Sequence, residues 1–146
     1  MDIDHKVLVL GEVQFGKLTS TTKEILVAGR GLAKTLKEPL CMALVGLDVH
    51  SAAEQAITTG VDRVYVLDTK IKDPCSLYLP AMEAICKNLK PEIILIGRTD
   101  LGRDIGPRLA FRLGVSLAQD CIDLKINLDG RLLVDRPIMG GDAIAS

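Results

Sequence analysis

The chain has 146 residues, of which 48% are hydrophobic and 25% are charged, a composition typical of one compact soluble domain. Its 18 basic residues nearly balance its 19 acidic residues, so no long-range field draws the molecule onto nucleic acid or an acidic membrane. With two phenylalanines, two tyrosines and no tryptophan, it also offers few aromatic side chains for stacking on single-stranded nucleic acid.

The cysteines and the amino terminus favour a cytoplasmic protein without membrane insertion. Cys41, Cys75, Cys86 and Cys121 are irregularly spaced, with no C-x-x-C motif and no histidine at zinc-ligand spacing. We therefore expect buried or idle thiols and no metal site, as in a reducing compartment. The amino terminus carries acidic residues before a short apolar run, unlike a signal peptide, and no run reaches the roughly 20 apolar residues of a membrane span.

Strand-like and helix-like segments alternate through the first hundred residues. Four short aliphatic runs, at 6–13, 39–47, 63–68 and 92–98, have the length of strands that are buried on both faces. Apolar residues at helical spacing predict helices over 19–37, 50–60 and 74–90, the second capped near Ser51 and closed by Gly60. This alternation predicts an α/β fold, a three-layer Rossmann-like parallel sheet with helices on both faces.

The pattern changes after residue 115. In "CIDLKINLDGRLLVD", apolar Ile122, Leu124 and Ile126 alternate with polar residues before a turn at Asp129 and Gly130, which predicts a β-hairpin with one wet face. Residues 143–145 would then begin another strand with no segment left to pair with it. We interpret the chain as a fragment of a longer one.

The stretch "GRTDLGRDIGPRLAFRLG" (97–114) follows the fourth strand, at the sheet edge where open α/β folds place their ligands. Thr99 or Asp100 can cap a helix there, and Pro107 is expected in or near the first turn. Asp104 and Arg108 are spaced for an i, i+4 ion pair. The inward face of this helix is predicted to carry Ile105, Leu109 and Leu113.

Three interpretations of this stretch remain open. Its charges can be a solvated face, with Gly102 and Gly106 allowing close packing. The helix N-terminus can hold an anion such as a nucleotide phosphate. Alternatively, Arg98, Arg103 and Arg108 can pair with acidic residues of another subunit, since the arginine fork suits interface ion pairs.

The sequence contains no catalytic constellation. The first strand is followed only by Gly11 and Gly16, not by the G-x-G-x-x-G of a dinucleotide site, and there is no nucleophile elbow or Walker lysine. His5 and His50 fit a surface or capping role.

At this point the residues suggest a family. The stretch "GRTDLGRDIGPRLAFRLGVSLAQDCIDL", followed by "RPIMGGDAIAS", resembles the alpha subunit of electron-transfer flavoproteins, as does "VLVLGEVQFGKLTSTTKEILVAGRGLA" near the amino terminus. The resemblance implies that residues 1–146 are the amino-terminal domain, with the adenine-nucleotide-binding α/β fold, and that its partner is the beta subunit. It also implies that FAD is held mainly by a carboxy-terminal domain that this chain lacks, so no cofactor is expected here. Such a subunit is an electron carrier for flavin dehydrogenases, not an enzyme.

The resemblance also bears on the three interpretations. In the family the beta subunit's pocket holds AMP or a second FAD, whereas the equivalent alpha pocket is generally not the ligand site. Thr99, Gly102, Arg103 and Asp104 are then a vestigial nucleotide edge, and packing plus subunit contact is the favoured role of the stretch. The alternative is a free-standing adenine-nucleotide-binding domain of the stress-protein type, with its ligand at the carboxyl edge formed by Gly11, Gly46, Gly97 and the helix after Thr99.

Overall fold

A four-stranded parallel sheet forms the centre of the computed structural model, which describes residues 7–70, 75–139 and 143–145. Its strands are β1 (Val7–Leu10), β4 (Leu40–Gly46), β5 (Arg63–Asp68) and β6 (Ile93–Ile96), in the spatial order β5-β4-β1-β6. All three pairings are parallel. The predicted α/β fold is confirmed, while Lys6 and His5, which bear on the first strand and on the surface role of histidine, lie outside the described residues.

Helices cover both faces of this sheet, as the alternating pattern predicts. On one face lie α1 (Ser20–Leu36) and α2 (His50–Thr58), and on the other lie α3 (Cys75–Leu89) and α4 (Asp100–Leu113). Strand β1 shows the reason, because Val7 and Val9 pack into the first layer while Leu8 and Leu10 pack into the second. Each of these four side chains is at most 1% exposed, so the strand is apolar on both sides.

The start of α2 differs from the prediction. The residue before the helix is Val49, which makes no side-chain capping bond, and Ser51 lies inside the helix. Asp48 adopts a left-handed conformation with φ 54°, and Val49 is fully buried. Burial of an apolar side chain therefore fixes this helix start in place of a hydroxyl cap.

Pro107 also lies elsewhere than expected. Helix α4 begins at Asp100, so the proline is its eighth residue and lies in the interior, not in the first turn. The helix continues past it to Leu113 and ends at Gly114 in the left-handed conformation. Burial of Ile105 and Leu109 against the sheet holds the helix together despite the missing N–H donor.

The predicted carboxy-terminal hairpin is present as β7 (Asp123–Ile126) and β8 (Leu132–Ile138). Leu124, Ile126 and Leu132 pack against the α1 side of the core, whereas Ile122 precedes the strand and is 58% exposed. The prediction that residues 143–145 lack a pairing segment is wrong. They form β9 (Ala143–Ala145), which pairs with the far half of β8, because β8 is three residues longer than its β7 partner.

A small hairpin that the sequence analysis missed follows β1. It consists of β2 (Val13–Gln14) and β3 (Lys17–Leu18), joined by a two-residue turn in which Phe15 (φ 51°) and Gly16 (φ 71°) are both left-handed. Two positive φ angles define a type I′ turn. The Leu18 amide donates to the Gln55 side chain, which ties this hairpin to α2.

Candidate functional site at the carboxyl edge of the sheet

The chain order of the strands creates a switch point at the carboxyl end of β1. The chain passes from β1 to β4 and β5 on one side, then returns to β6 on the other side of β1. In open α/β sheets, the crevice outside the strand ends at such a point is the usual ligand position. Here that crevice lies between Gly11, which follows β1, and Gly97, which follows β6.

Thr99 and Gly102 form the helical side of this crevice. The Thr99 hydroxyl accepts a hydrogen bond of 3.0 Å from the Gly102 amide and so caps α4, as predicted. A Cβ on Gly102 would lie 1.9 Å from the Gly97 carbonyl oxygen, so the helix approaches the end of β6 more closely than any side chain permits.

Glu12 occupies the mouth of the same crevice. The Thr99 hydroxyl donates to the Glu12 carboxylate at 2.5 Å. A carboxylate at a helix N-terminus is favoured by the partial positive charge of the free amides. The protein's own side chain thus stands where a bound anion would be expected.

Glu12 is held in this position by its backbone. Its amide donates to the Thr22 hydroxyl at 2.9 Å, and its carbonyl accepts from the Thr19 amide at 3.1 Å. The Thr19 hydroxyl in turn accepts from the Thr22 amide and caps α1. Thr22 is 2% exposed, whereas Glu12 and Thr19 are half-buried, so the network is anchored on a buried hydroxyl.

Tyr78 is bonded to the backbone at the carboxyl end of β1. Its hydroxyl donates to the Gly11 carbonyl at 2.9 Å, and the residue is 4% exposed. Burial raises the pKa of the phenol, and the nearby Glu12 carboxylate raises it further, so Tyr78 stays a neutral donor. Tyr78 and Glu12 thus both lie beside the end of β1.

Most of the charged residues in the 97–114 stretch are exposed and pair within the chain. Arg98 pairs with Asp120 at 2.8 Å, and Arg108 pairs with Asp104 at 3.0 Å, as the spacing of the latter two predicts. Arg103 is exposed and makes no ion pair within the described part of the chain. Of the four predicted edge residues, the structure therefore brings Thr99 and Gly102 together and leaves Arg103 and Asp104 on the outer face of α4.

Among the described residues, the remaining reactive side chains form no recognisable reaction site. Burial raises the pKa of the Cys41 and Cys86 thiols to about 11, which makes both poor nucleophiles. His50 lies exposed at the start of α2, with its Nε2 3.3 Å from a carboxylate oxygen of Asp68. Among residues 7–70, 75–139 and 143–145, no cluster of His, Cys, Asp and Glu could hold a metal ion.

A groove of about 740 Å³ runs between α1 and β7 and is lined by Val27, Gly31 and Ile122 among others.

None of the helices in the described ranges combines the length and the hydrophobicity that a bilayer crossing requires.

Comparison with known proteins decides the family. A family model described as the electron transfer flavoprotein domain matches residues 7–146, nearly the whole chain. The chain belongs to the electron transfer flavoprotein family. This membership confirms the resemblance carried by the motifs in residues 97–114. It also rules against the stress-protein alternative.

Individual relatives in the electron transfer flavoprotein family are similar to most of the chain. It is 36% identical to the electron transfer flavoprotein subunit alpha of Thermoanaerobacterium thermosaccharolyticum, an alignment covering 98% of this chain and 44% of that protein. It is 32% identical to protein FixB of Bradyrhizobium diazoefficiens, over 96% of this chain and 39% of FixB. It is 30% identical to the LctC subunit of the NAD(+),ferredoxin lactate dehydrogenase of Acetobacterium woodii, over 89% of this chain and 32% of LctC. The chain thus spans less than half the length of these relatives.

Glu12 and Tyr78 are the site residues that sequence reasoning missed. The available signal for Glu12 was its place directly after the glycine that ends a buried strand, where a side chain projects into the switch-point crevice. The sequence contains no signal for Tyr78, because an aromatic residue in an apolar helix indicates only a core position.

Proposed function

We propose that this chain is the amino-terminal domain of an electron transfer flavoprotein alpha subunit and serves as a scaffold and subunit-contact domain. The observation that carries the proposal is the alignment with subunit alpha relatives, which covers 98% of this chain and 44% of theirs. In the complete protein, FAD is held mainly by a carboxy-terminal domain. Electrons pass from flavin dehydrogenases to that FAD and on to an acceptor.

Hydrogen bonds within the chain at the crevice support a domain that holds no cofactor of its own. The Thr99 hydroxyl donates to Glu12 and accepts from the Gly102 amide, and the Tyr78 hydroxyl donates to the Gly11 carbonyl. Thr99, Gly102, Arg103 and Asp104 then remain as a vestigial nucleotide edge whose role is to join α4 to the sheet and to present its outer face.

That outer face of α4 is the surface we assign to the beta subunit. Arg103, Pro107 and Phe111 follow one another at a spacing of four residues and therefore lie along one stripe, which we name the α4 stripe. Phe111 is 88% exposed, and Arg103 is the arginine of the 97–114 stretch without an ion pair among the described residues. Exposed aromatic side chains and arginines are enriched at the centres of protein interfaces.

Affinity measurements with the electron transfer flavoprotein beta subunit test this assignment. We expect Phe111→Ser to weaken binding by about tenfold or more, and Arg103→Ala to weaken it to a lesser degree, as for interface anchors. The matched control is Leu128→Ser at the tip of the β7–β8 turn, which removes another fully exposed apolar side chain. Binding that is unchanged in Phe111→Ser, or lost equally in the control, would contradict the assignment.

A further inference from the structure

The groove between α1 and β7, which we name the α1–β7 groove, is a feature that the proposed function leaves unused. Its volume of about 740 Å³ lies within the range of about 300–1,000 Å³ that is typical of binding sites. On the α1 side it is lined by the small residues Ala28 and Gly31 and by Val27, whose side chain is 66% exposed. A Cβ on Gly31 would meet no atom within 4 Å. Helix α1 therefore leaves room for a further element beside β7.

Strand β7 has an outer edge. Among the described strands it pairs with β8 alone and lies at the end of the order β7-β8-β9. The Asn127 amide donates to the Arg131 carbonyl, so every second residue counted back from Asn127 is bonded to β8. The amides and carbonyls of Leu124 and Ile126 therefore point to the outer edge. The Leu124 amide donates to the Asp123 side chain at 2.9 Å, so a side chain takes the place of a neighbouring strand.

The lining of the groove follows this edge. Residues 121–126, which include the whole of β7, all line it. Successive side chains of a strand point to opposite faces, so a cavity over one face of β7 would be lined by every second residue. A cavity along the edge of the strand is lined by all of them. The α1–β7 groove thus runs beside β7, where an added strand would lie.

The chemistry of the groove suits an extended peptide. The outward backbone groups of β7 can bond to the main chain of an added strand, which is how exposed sheet edges bind peptides. The exposed apolar side chains of Val27 and Ile122 are placed to contact alternate side chains of that strand. Addition of a strand also covers an edge that would otherwise pair with foreign chains.

The relatives indicate where such a peptide comes from. The alignment covers 44% of the electron transfer flavoprotein subunit alpha of Thermoanaerobacterium thermosaccharolyticum, so that protein contains further segments. Under the proposed function, the complete protein contains them as well. Strand β9 belongs to the same three-stranded sheet as β7, so a segment that follows β9 is tethered near the groove and acts at a high local concentration.

We propose that an extended segment of the complete protein, carboxy-terminal to residue 146, adds as a strand to the outer edge of β7 and fills the α1–β7 groove. The proposal rests on the proposed function, because it requires this chain to be the amino-terminal part of an alpha subunit. The added strand fastens the β7-β8-β9 sheet to α1. It is a contact within the alpha subunit and is separate from the α4 stripe.

The alkylation rate of Cys121 tests the proposal, because this residue lines the groove and is exposed, whereas Cys41 and Cys86 are buried. Iodoacetamide is the probe, and peptide mass mapping identifies the modified cysteine. We expect Cys121 to react at least about tenfold more slowly in the complete alpha–beta complex than in the 146-residue chain, since the added strand covers it. The 146-residue chain bound to the beta subunit should react as fast as the chain alone. Equal rates in the complete complex and in the chain, or protection by the beta subunit alone, would overturn the inference.

Gly31→Phe provides a second test, because it places a bulky side chain in the groove where this chain offers no obstacle. In the complete complex it should raise the Cys121 rate toward that of the 146-residue chain and lower the Tm, while the Tm of the 146-residue chain should not fall. The matched control is Lys23→Phe, at an exposed position of α1 outside the groove lining, which should leave the Cys121 rate unchanged. A Gly31→Phe complex in which Cys121 stays protected would count against the inference and leave the proposed function intact. A beta subunit that fails to bind the unaltered chain would instead contradict the proposed function.

Discussion

Gly102 is required because α4 touches the end of β6 through backbone alone. A Cβ at this position would lie 1.9 Å from the Gly97 carbonyl oxygen, and a backbone oxygen cannot move aside as a flexible side chain can. Gly102→Ala should therefore lower the free energy of unfolding by about 2–3 kcal/mol, the upper part of the range for overpacking. Urea denaturation at constant temperature measures the change.

Gly31→Ala is the matched control for that substitution. Gly31 also lies inside a helix, but a Cβ there meets no atom within 4 Å. Alanine has the higher helix propensity, so this variant should be unchanged or more stable by up to about 1 kcal/mol. Equal losses at both positions would show that close helix–strand contact is not the cause.

Phe15 combines backbone strain with exposure. It adopts φ 51° in the type I′ turn and is 93% exposed, so a bulky side chain occupies a position that favours asparagine or glycine. Phe15→Asn should raise the free energy of unfolding by about 1 kcal/mol, because asparagine tolerates the left-handed region. Phe15→Ala keeps a Cβ at the same φ but lacks the side-chain amide of asparagine, so its free energy of unfolding should rise by less. A loss of stability in Phe15→Asn would indicate that the phenyl ring makes a stabilising contact.

Local spacing predicts side-chain pairs only when both partners are near in sequence. The Thr99 cap and the Asp104–Arg108 pair are confirmed because each closes within one helical turn. Glu12 and Thr99 lie 87 residues apart, and nothing in the sequence indicates that they meet. The Arg98–Asp120 pair likewise depends on where the segment after α4 returns to the sheet edge.

Helix α4 carries a proline in its interior that the rest of the helix must compensate. The ring removes the amide that would donate to the Arg103 carbonyl four residues earlier. Pro107→Ala restores this bond on an exposed surface and should raise the free energy of unfolding by roughly 1–3 kcal/mol. Pro39→Ala, which lies in the loop before β4, lacks this gain. Denaturant unfolding of both variants separates helix repair from the general effect of losing a proline.

Helices α3 and α4 are linked by an ion pair whose strength depends on pH. Hydrogen bonds from Lys87 (2.6 Å) and Arg112 (2.8 Å) lower the pKa of Glu83 from its ordinary value of 4.5. Because the folded-state pKa is the lower one, the pair stabilises the fold above about pH 4.5 and loses this contribution as the pH falls through the folded value.

Because the ion pair stabilises the fold only while Glu83 is ionised, the difference in Tm between the unaltered chain and Glu83→Gln should depend on pH. We expect the unaltered chain to melt higher at pH 7 and the gap to close at pH 3. Glu54→Gln, on the opposite face of the sheet, should show no such closing gap. A Glu83→Gln gap that persists or widens at pH 3 would contradict the assigned cause.

Periodicity predicts the elements well and their arrangement poorly. The predicted strand at 63–68 and the helix at 19–37 match the observed bounds within a residue, because burial on one or both faces imposes a clear apolar pattern. The strand order β5-β4-β1-β6 cannot be predicted from the sequence, because strands that are apolar on both faces do not indicate which strands they pair with. The pairing of β9 with β8 was missed because it depends on the unequal lengths of β7 and β8.

The molecule as a whole is an open α/β fold in which side chains of the same chain are hydrogen-bonded at the switch point. The parallel sheet, the switch point between β1 and β6 and the capped α4 are the parts that hold a nucleotide in related folds. In this chain Tyr78 donates to the Gly11 carbonyl and Thr99 donates to the Glu12 carboxylate at that edge, and the residues of the α4 stripe are exposed. The role that we propose for the domain is therefore to support a partner subunit, with the flavin bound elsewhere in the complete protein.

The visible absorption spectrum of the purified 146-residue chain, recorded after incubation with excess FAD and removal of the free flavin, tests this account most directly. We expect a colourless protein that nevertheless binds the beta subunit. Stoichiometric flavin absorbance that stays with the chain would contradict it.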